Sequence, residues 1–515
     1  MSNSTNQLDQ IKHIVVLMME NRSLDNMLGY LYDAGNSPPF NEAPNGQTFN
    51  GVSGKKLSNP LGREANAPTV PVSQGTVMSN PNPDPGEDYI EVYSQLYNLP
   101  APQNAGGVPP NPPQPPQMLG FLNNYHDVIK DSSVSPEIIM NCFAQSSVPV
   151  TTNLAYYYGV CDNWFSSIPT NTMCNRSYMY AGTSSGNVFN EWTDDHFPFI
   201  HPFRNDTRTI FNLLENAGVS WKIYYGSYLL FSTALLTQDQ LLDYALSRFS
   251  QMEQFYKDAS TPGGLPAYSF IEPRYMDSVI YGPENDMHPP SYPHIDGPSN
   301  VSQGEMLLYN VYNAILNSPD WDSTMLIITF DEHGGTYDHV APPAATPPDG
   351  VVIPPNQPGG SGFEFNRAGV RVPAIVISPY TVQSQICHTV FDHTSILKTV
   401  IECFQLKNEH GNPTRLGKRE KNAADLTELL TNPTARTDIP PIPKPAGADV
   451  TAQAVKGSRP LTEFQKTLVT AAIKRIADLG GAKLDVSETR KKIRTVRDAE
   501  EFLAHHEREL RDKQP

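Results

Sequence analysis

The 515-residue chain carries 54 Asp and Glu against 37 Lys and Arg, a formal net charge of −17. Long-range repulsion on that scale argues against nucleic acid or a strongly anionic membrane as the main partner, and leaves a zwitterionic or cation-headed partner open. The length exceeds a single ordinary core, so one large α/β domain with a smaller appended piece, or two domains, is expected; 48 Pro and 34 Gly call for long ordered loops.

No apolar run approaches the ~20 residues of a membrane span, and residues 1–10 lack the basic and apolar regions of a secretory signal. As written, the chain is expected to be cytoplasmic, with export by a signal-independent route left open. The five cysteines are odd in number and show no CxxC spacing, which fits reduced thiols better than a disulfide framework or a zinc knuckle.

In chain order, residues 11–19 read as a buried strand ending in Glu20-Asn21-Arg22-Ser23, with Ser23 or Asn21 placed to cap a short helix running to Gly29. Glu20 there suits a cation, and Asn21 or the helix-opening amides suit an anion, although a dipole-facing glutamate beside a cap explains the same letters. Residues 33–118 are rich in Gly, Pro, Asn and Ser, with eleven prolines between Pro81 and Pro116, and read as irregular packing or a lid. Within them Asp84-Pro85-Gly86-Glu87-Asp88 precedes a helical pattern through Val92 and Leu96.

Helical patterns follow at residues 135–143 and 151–159, and then Pro169-Thr170-Asn171-Thr172 reads as a strand-to-helix turn opening a helix over residues 173–182. A hydroxyl at that helix start is held near unpaired amides and positive dipole, which favours its alkoxide, and Arg176 one turn on is placed to fork onto phosphate oxygens. A plain capping threonine is the competing explanation. Gly182-Thr183-Ser184-Ser185-Gly186 fits the G-x-S-x-G pattern of an esterase elbow if residues 177–181 are a strand, but no helical stripe follows it.

Alternation continues with a helix at 206–217, a strand at 219–225, a helix at 238–257 and a strand at 267–271, which predicts a parallel sheet flanked by helices. His288, in the Pro-bounded loop Asn285-Asp286-Met287-His288-Pro289, is poorly placed for a core histidine. A helix over 301–317 leads to the apolar run 325–330, a strand buried on both faces that delivers Asp331-Glu332-His333-Gly334-Gly335 to its carboxyl end, where open α/β sheets place their chemistry. Two adjacent acids, nearby histidines and a Gly-Gly turn make a seat for a divalent cation. A strand at 370–378 precedes His388 and a helix headed by Asp392-His393. Residues 431–460 form a Pro-rich linker between a main domain, 1–430, and a C-terminal helical hairpin, 461–515, carrying His505-His506 as remote candidates for metal.

Taken together, Glu20-Asn21-Arg22-Ser23, the 169–176 turn, Asn285 to Pro289, and Asp331 to Gly335 with Asp338-His339-Val340 resemble, in that order, the bacterial and plant phospholipase C and acid phosphatase family. The resemblance spans residues 11–406 and implies an alkaline-phosphatase-like three-layer α/β/α sandwich with a mostly parallel sheet and long Pro/Gly-rich loops. It further implies phosphate-ester hydrolysis through a covalent phosphoenzyme, with Thr172 as nucleophile and Glu20, Asn21, Asp331 and Glu332 around a divalent metal ion of unspecified identity. His288 would contact the phosphate, and His288 or His339 would protonate the departing alkoxide. Asn21, Arg176 and Glu87 complete the expected phosphate surroundings, but the family often has histidine where this chain has Glu87. The expected substrate is a phosphatidylcholine-like phospholipid at a membrane surface, since Thr rather than Ser stands at 172. Soluble phosphomonoesters, or a non-catalytic metal-binding surface role, are the alternatives.

Overall fold

The computed structural model describes residues 7–512 other than 110–111, 113–114, 130–132, 194–199, 291–299, 358, 447–456 and 458. Much of the central stretch of the 431–460 linker, and residues 1–6, therefore lie outside the described residues. Eight strands make the central sheet: β1 His13–Met19, β2 Gly159–Cys161, β3 Trp221–Tyr225, β4 Phe249–Gln251, β5 Tyr268–Ile271, β6 Thr324–Phe330, β7 Ala374–Ile377 and β8 Gln385–Cys387. Their order across the sheet is β4-β3-β5-β1-β6-β7-β2-β8. All neighbours run parallel except at β7, which is antiparallel to both β6 and β2.

The two longest strands sit at the centre because their side chains are apolar on both faces: β1 and β6 are in register from His13↔Thr324 to Met19↔Phe330, and Ile14 to Met19 and Met325 to Phe330 are buried. Helices Pro149–Tyr157, Met252–Ser260 and Asn300–Leu316 pack into one layer, and α1 Thr172–Ala181, Ile210–Asn216 and α2 His393–Cys403 into another. The molecule is thus an α/β/α sandwich with a mixed, mostly parallel sheet, as the alternation of elements predicts. Among the described residues no helix is long and apolar enough to cross a membrane.

Three parts depart from expectation, the first being residues 135–143, read as helical, which are a 3-10 turn at Pro136–Met140 followed by a two-residue strand Asn141–Cys142. The helix predicted over 238–257 is a 3-10 turn at Asp239–Tyr244, edge strand β4 and a helix from Met252. Phe249 to Gln251 pair with Ile223 to Tyr225, and closing that ladder outweighs the helical spacing of Leu241, Leu242 and Ala245. The C-terminal region holds three helices rather than a hairpin, α3 Glu463–Asp478, Val486–Lys492 and α4 Val496–Asp512. Leu461, Leu468, Ile476 and Leu503 join a second apolar core with Tyr228, Phe231, Tyr275 and Met276 of the main body, so these helices bury their faces against the body rather than against each other alone.

Candidate active site

Parallel pairing of β1 and β6 ends with Met19 beside Phe330, so the next residue of each strand, Glu20 and Asp331, emerges at the same edge. Asp331 N donates to Met19 O (3.2 Å), and Asn21 N donates to Asp331 Oδ1 (3.0 Å), which ties the two loops together. Asn21 holds a left-handed backbone, φ 56°, a conformation asparagine tolerates better than most residues. Gly334, at φ 58°, lies so close that a Cβ there would sit 2.1 Å from Asn21 O, and one on Gly335 would sit 2.4 Å from Gly86 O. The Gly-Gly turn is therefore what lets the 20–21, 84–87 and 331–335 loops meet.

Thr172 is the first residue of α1, with Asn171 at the cap position. Asn171 Nδ2 is held by Asp88 (2.6 Å), and Met173 N donates to Asn190 Oδ1 (2.8 Å), which fixes the turn. The Thr172 hydroxyl is buried, 3.2 Å from Glu20 Oε2 and 3.3 Å from Asn21 Oδ1. One turn on, Arg176 points inward: its Nε donates to Glu20 Oε1 (2.8 Å) and lies 3.4 Å from Asp331 Oδ2, and its Nη2 donates to the carbonyls of Met18 and Met19. It is turned to these acids, with Tyr275 beneath its guanidinium, rather than forked outward toward a phosphate.

The acids exceed the cations here. Glu20, Asp331 and Glu332 are fully buried, and Asp331 Oδ2 and Glu332 Oε1 accept no hydrogen bond from any described residue. Burial first, and then the neighbouring Asp331 charge, hold both Glu20 and Glu332 well above the usual carboxylate range; Arg176 only partly offsets this for Glu20. Buried carboxylate oxygens without hydrogen bonds, together with a neutral amide oxygen and a hydroxyl, are a hard-oxygen donor set, so Glu20, Asn21, Asp331 and Glu332 fit a divalent cation.

Facing them is a second group, Asp84, Glu87 and His288, whose ligand atoms lie within 4.8 Å of one another. Glu87 Oε2 accepts from Asn21 Nδ2 and lies 3.7 Å from His288 Nε2. His288 Nδ1 donates to Pro289 O (2.7 Å), and Asp286 Oδ1 accepts from His288 N (3.0 Å) while Asp286 O accepts from Glu20 N (2.8 Å), linking the histidine loop to β1. Burial pulls the His288 imidazole down, but Asp84, Glu87 and Asp286 outweigh it and hold it up at about 9. The ring stacks on Phe464 of α3, centroids 5.7 Å apart at 10°. Neither Phe464 nor Asp84 stood out in the sequence; Asp84 carried a signal in its Asp-Pro-Gly turn, and Phe464, on a distant helix, carried none.

His339 is not brought to this cluster. Its Nδ1 is 2.5 Å from Asp25 Oδ2, Lys55 Nζ donates to its Nε2 (2.7 Å), and Arg371 bridges Asp25 and Asp338 alongside. These bonds tie His339 to Asp25 of the short helix Leu24–Leu28 and to Lys55, so its ring nitrogens are engaged in bracing that helix against the 338–339 segment. His393 Nε2 donates to Asp331 O (2.6 Å), orienting the acidic pair from the head of α2. Residues 177–181, the strand an esterase elbow requires, are the end of helix α1, and Ser184 Oγ donates to Asn187 O. That overturns the elbow reading, because a helix cannot deliver the serine at a strand's end. His505 and His506 lie with Glu509 on α4, within 4.8 Å of one another.

The chain resembles known proteins over the span that builds this site. It is 32% identical over 477 residues to non-specific phospholipase C3 of Arabidopsis thaliana, covering 90% of this chain and 82% of that one. To phospholipase C B of Mycobacterium tuberculosis it is 28% identical over 450 residues, covering 82% and 78%. Among solved structures, an alkaline phosphatase superfamily protein from Vibrio parahaemolyticus matches 54% of this chain and 66% of its own at a TM-score of 0.30 and 12% identity. Murine ectonucleotide pyrophosphatase / phosphodiesterase 5 matches 55% and 95% at 0.33 and 10%. The Phosphoesterase family model matches residues 11–407, from the first strand through the histidine-headed helix, so the residues gathered around Thr172 all fall inside it. The chain belongs to the Phosphoesterase family and is a phosphoric ester hydrolase.

Proposed function

We propose that the chain is a phospholipase C that hydrolyses the glycerol–phosphate ester of phosphatidylcholine-like phospholipids at a membrane surface. The products are diacylglycerol and a phosphorylated head group. The observation that carries the reading is the Thr172 hydroxyl, held 3.2 Å from Glu20 and 3.3 Å from Asn21, whose backbone amide is bonded to Asp331 of an acidic pair with buried oxygens free of hydrogen bonds. Its identity to plant and mycobacterial phospholipases C over most of its length supports the choice of substrate.

Glu20, Asn21, Asp331 and Glu332 would hold a divalent cation, which would supply the charge that lowers the hydroxyl's proton affinity. The chain's own groups do the rest. Glu20 accepts the Thr172 proton along the hydrogen bond already present, and Oγ1 bonds to phosphorus in line with the leaving glycerol oxygen as that P–O bond breaks. The positive end of helix α1, whose first residue is Thr172, faces the phosphoryl oxygens, where charge is greatest in the transition state. His288, protonated near neutral pH, gives its proton to the departing alkoxide. Water then cleaves the Thr172–phosphate ester and regenerates the hydroxyl.

An acid phosphatase acting on soluble monoesters would use the same residues. The test compares p-nitrophenol release from p-nitrophenyl phosphorylcholine and from p-nitrophenyl phosphate, with and without chelator. Faster cleavage of the diester, lost on chelation, is expected. Preference for the monoester favours the phosphatase, and cleavage of neither by cation-supplied protein sinks both readings.

A further inference from the structure

The phosphoryl seat is already partly filled by the protein itself. Two side-chain donors of the proposed seat, Asn21 Nδ2 and His288 Nε2, are both turned to one atom, Glu87 Oε2. Asn21 donates to it; His288 Nε2, on a side chain only 9% exposed, lies 3.7 Å away and makes no hydrogen bond to any described residue. His288 cannot swing aside, because Phe464 stacks on its face and Pro289 O holds its other nitrogen. Asp84 Oδ1 stands 3.8 Å from that same Nδ1, so a second carboxylate backs the first.

In-line attack by Thr172 puts the entering and leaving oxygens at the two apices and three substituents around the equator. In a monoester all three are terminal, charged oxygens that need donors. In a diester one is an esterified oxygen that carries little charge and needs none. A carboxyl oxygen that already takes the Asn21 hydrogen competes with a terminal oxygen for it, but not with an esterified one. We infer that Glu87 reserves one equatorial position of the phosphoryl group for the esterified oxygen, and so sets a preference for phosphodiesters over phosphomonoesters. The inference deepens the phospholipase reading and rests on it.

The test uses full-length protein supplied with divalent cation, wild type, Glu87→Ala and Glu87→Gln. Two quantities are read: the ratio of monoester to diester kcat/KM on the two p-nitrophenyl substrates, and inorganic phosphate affinity by calorimetry. For Glu87→Ala the ratio is expected to rise at least about tenfold, the scale of one close like-charge contact at a half-screened site, and phosphate to bind more tightly. Glu87→Gln keeps an acceptor oxygen but no charge, so its ratio rises less; it decides the matter should the alanine variant fail to fold. An unchanged or lowered ratio, or weaker phosphate binding, overturns the inference and makes Glu87 an ordinary substrate contact. Wild-type protein inactive on both esters removes the phospholipase reading, while the phosphate titration still judges Glu87.

Discussion

Replacing Arg176 by Met tests whether the acids at the strand ends depend on a built-in counter-ion. Arg176 is the cationic partner of Glu20 and Asp331 among the described residues, with all three side chains fully buried. Its Nη2 also satisfies the Met18 and Met19 carbonyls. Methionine keeps the apolar stem against Tyr275 and removes only the charge and the donors. Breaking one partner out of a buried ion pair costs about 3–5 kcal/mol, and serving two carboxylates places this case near the upper end. A loss of about 5 kcal/mol is roughly five-thousandfold in the folded-to-unfolded ratio. Urea unfolding of chelated protein should show that loss as a lowered midpoint with an unchanged slope. Repeated with saturating divalent cation, the loss should shrink to less than half, because an ion among Glu20, Asp331 and Glu332 supplies the missing positive charge. A chelated variant as stable as wild type, or one that cation does not rescue, would refute this account of the site's charge balance.

Thr172→Ala should reduce hydrolysis by several orders of magnitude with stability changed by no more than about 1 kcal/mol; substantial residual turnover in a folded variant would remove Thr172 as nucleophile. Gly334→Ala adds a Cβ 2.1 Å from Asn21 O at φ 58° and should cost about 2–4 kcal/mol together with activity, whereas Gly350→Ala, at φ 82° with nothing within 4 Å, should cost only its backbone strain of about 1–2 kcal/mol. Equal losses at the two glycines would deny that close approach matters. For His288 the folded pKa, about 9, is raised above the ordinary 6.5, so its stabilising contribution is complete below pH 6.5 and is lost as pH rises through 9. Activity should fall along the same alkaline limb, and His288→Asn should flatten both profiles; a limb that survives the substitution belongs to another group.

What the sequence disclosed followed the length of its signals. β1 and β6 are seven residues each and mostly apolar, and those runs announced both central strands and the acids behind them. Strands β2, β4 and β8 are three residues long, too short for any period to show, and exist because a neighbouring strand offers its ladder. Glu20, Asn21, Thr172, Asp331 and Glu332 come together as strand-end logic requires. The direction of Arg176 did not follow from its spacing: an arginine one turn along a helix reaches either a ligand or the acids beneath it, and burial of those acids decided it. His339 misled for a related reason, since Asp25 and Lys55, which engage it, lie hundreds of residues away in the chain.

The last helices do more than cover apolar surface. Glu500 of α4 receives Ser278 Oγ, Val279 N and Ile280 N, and Gln465 of α3 donates to Tyr275 O. With Phe464 behind His288, the tail grips the 275–288 segment at several points. Shortening this protein at residue 460 to obtain a tidier catalytic fragment would therefore release the wall that carries the imidazole, and the trimmed enzyme should fail at its proton-transfer step long before its sheet unravels.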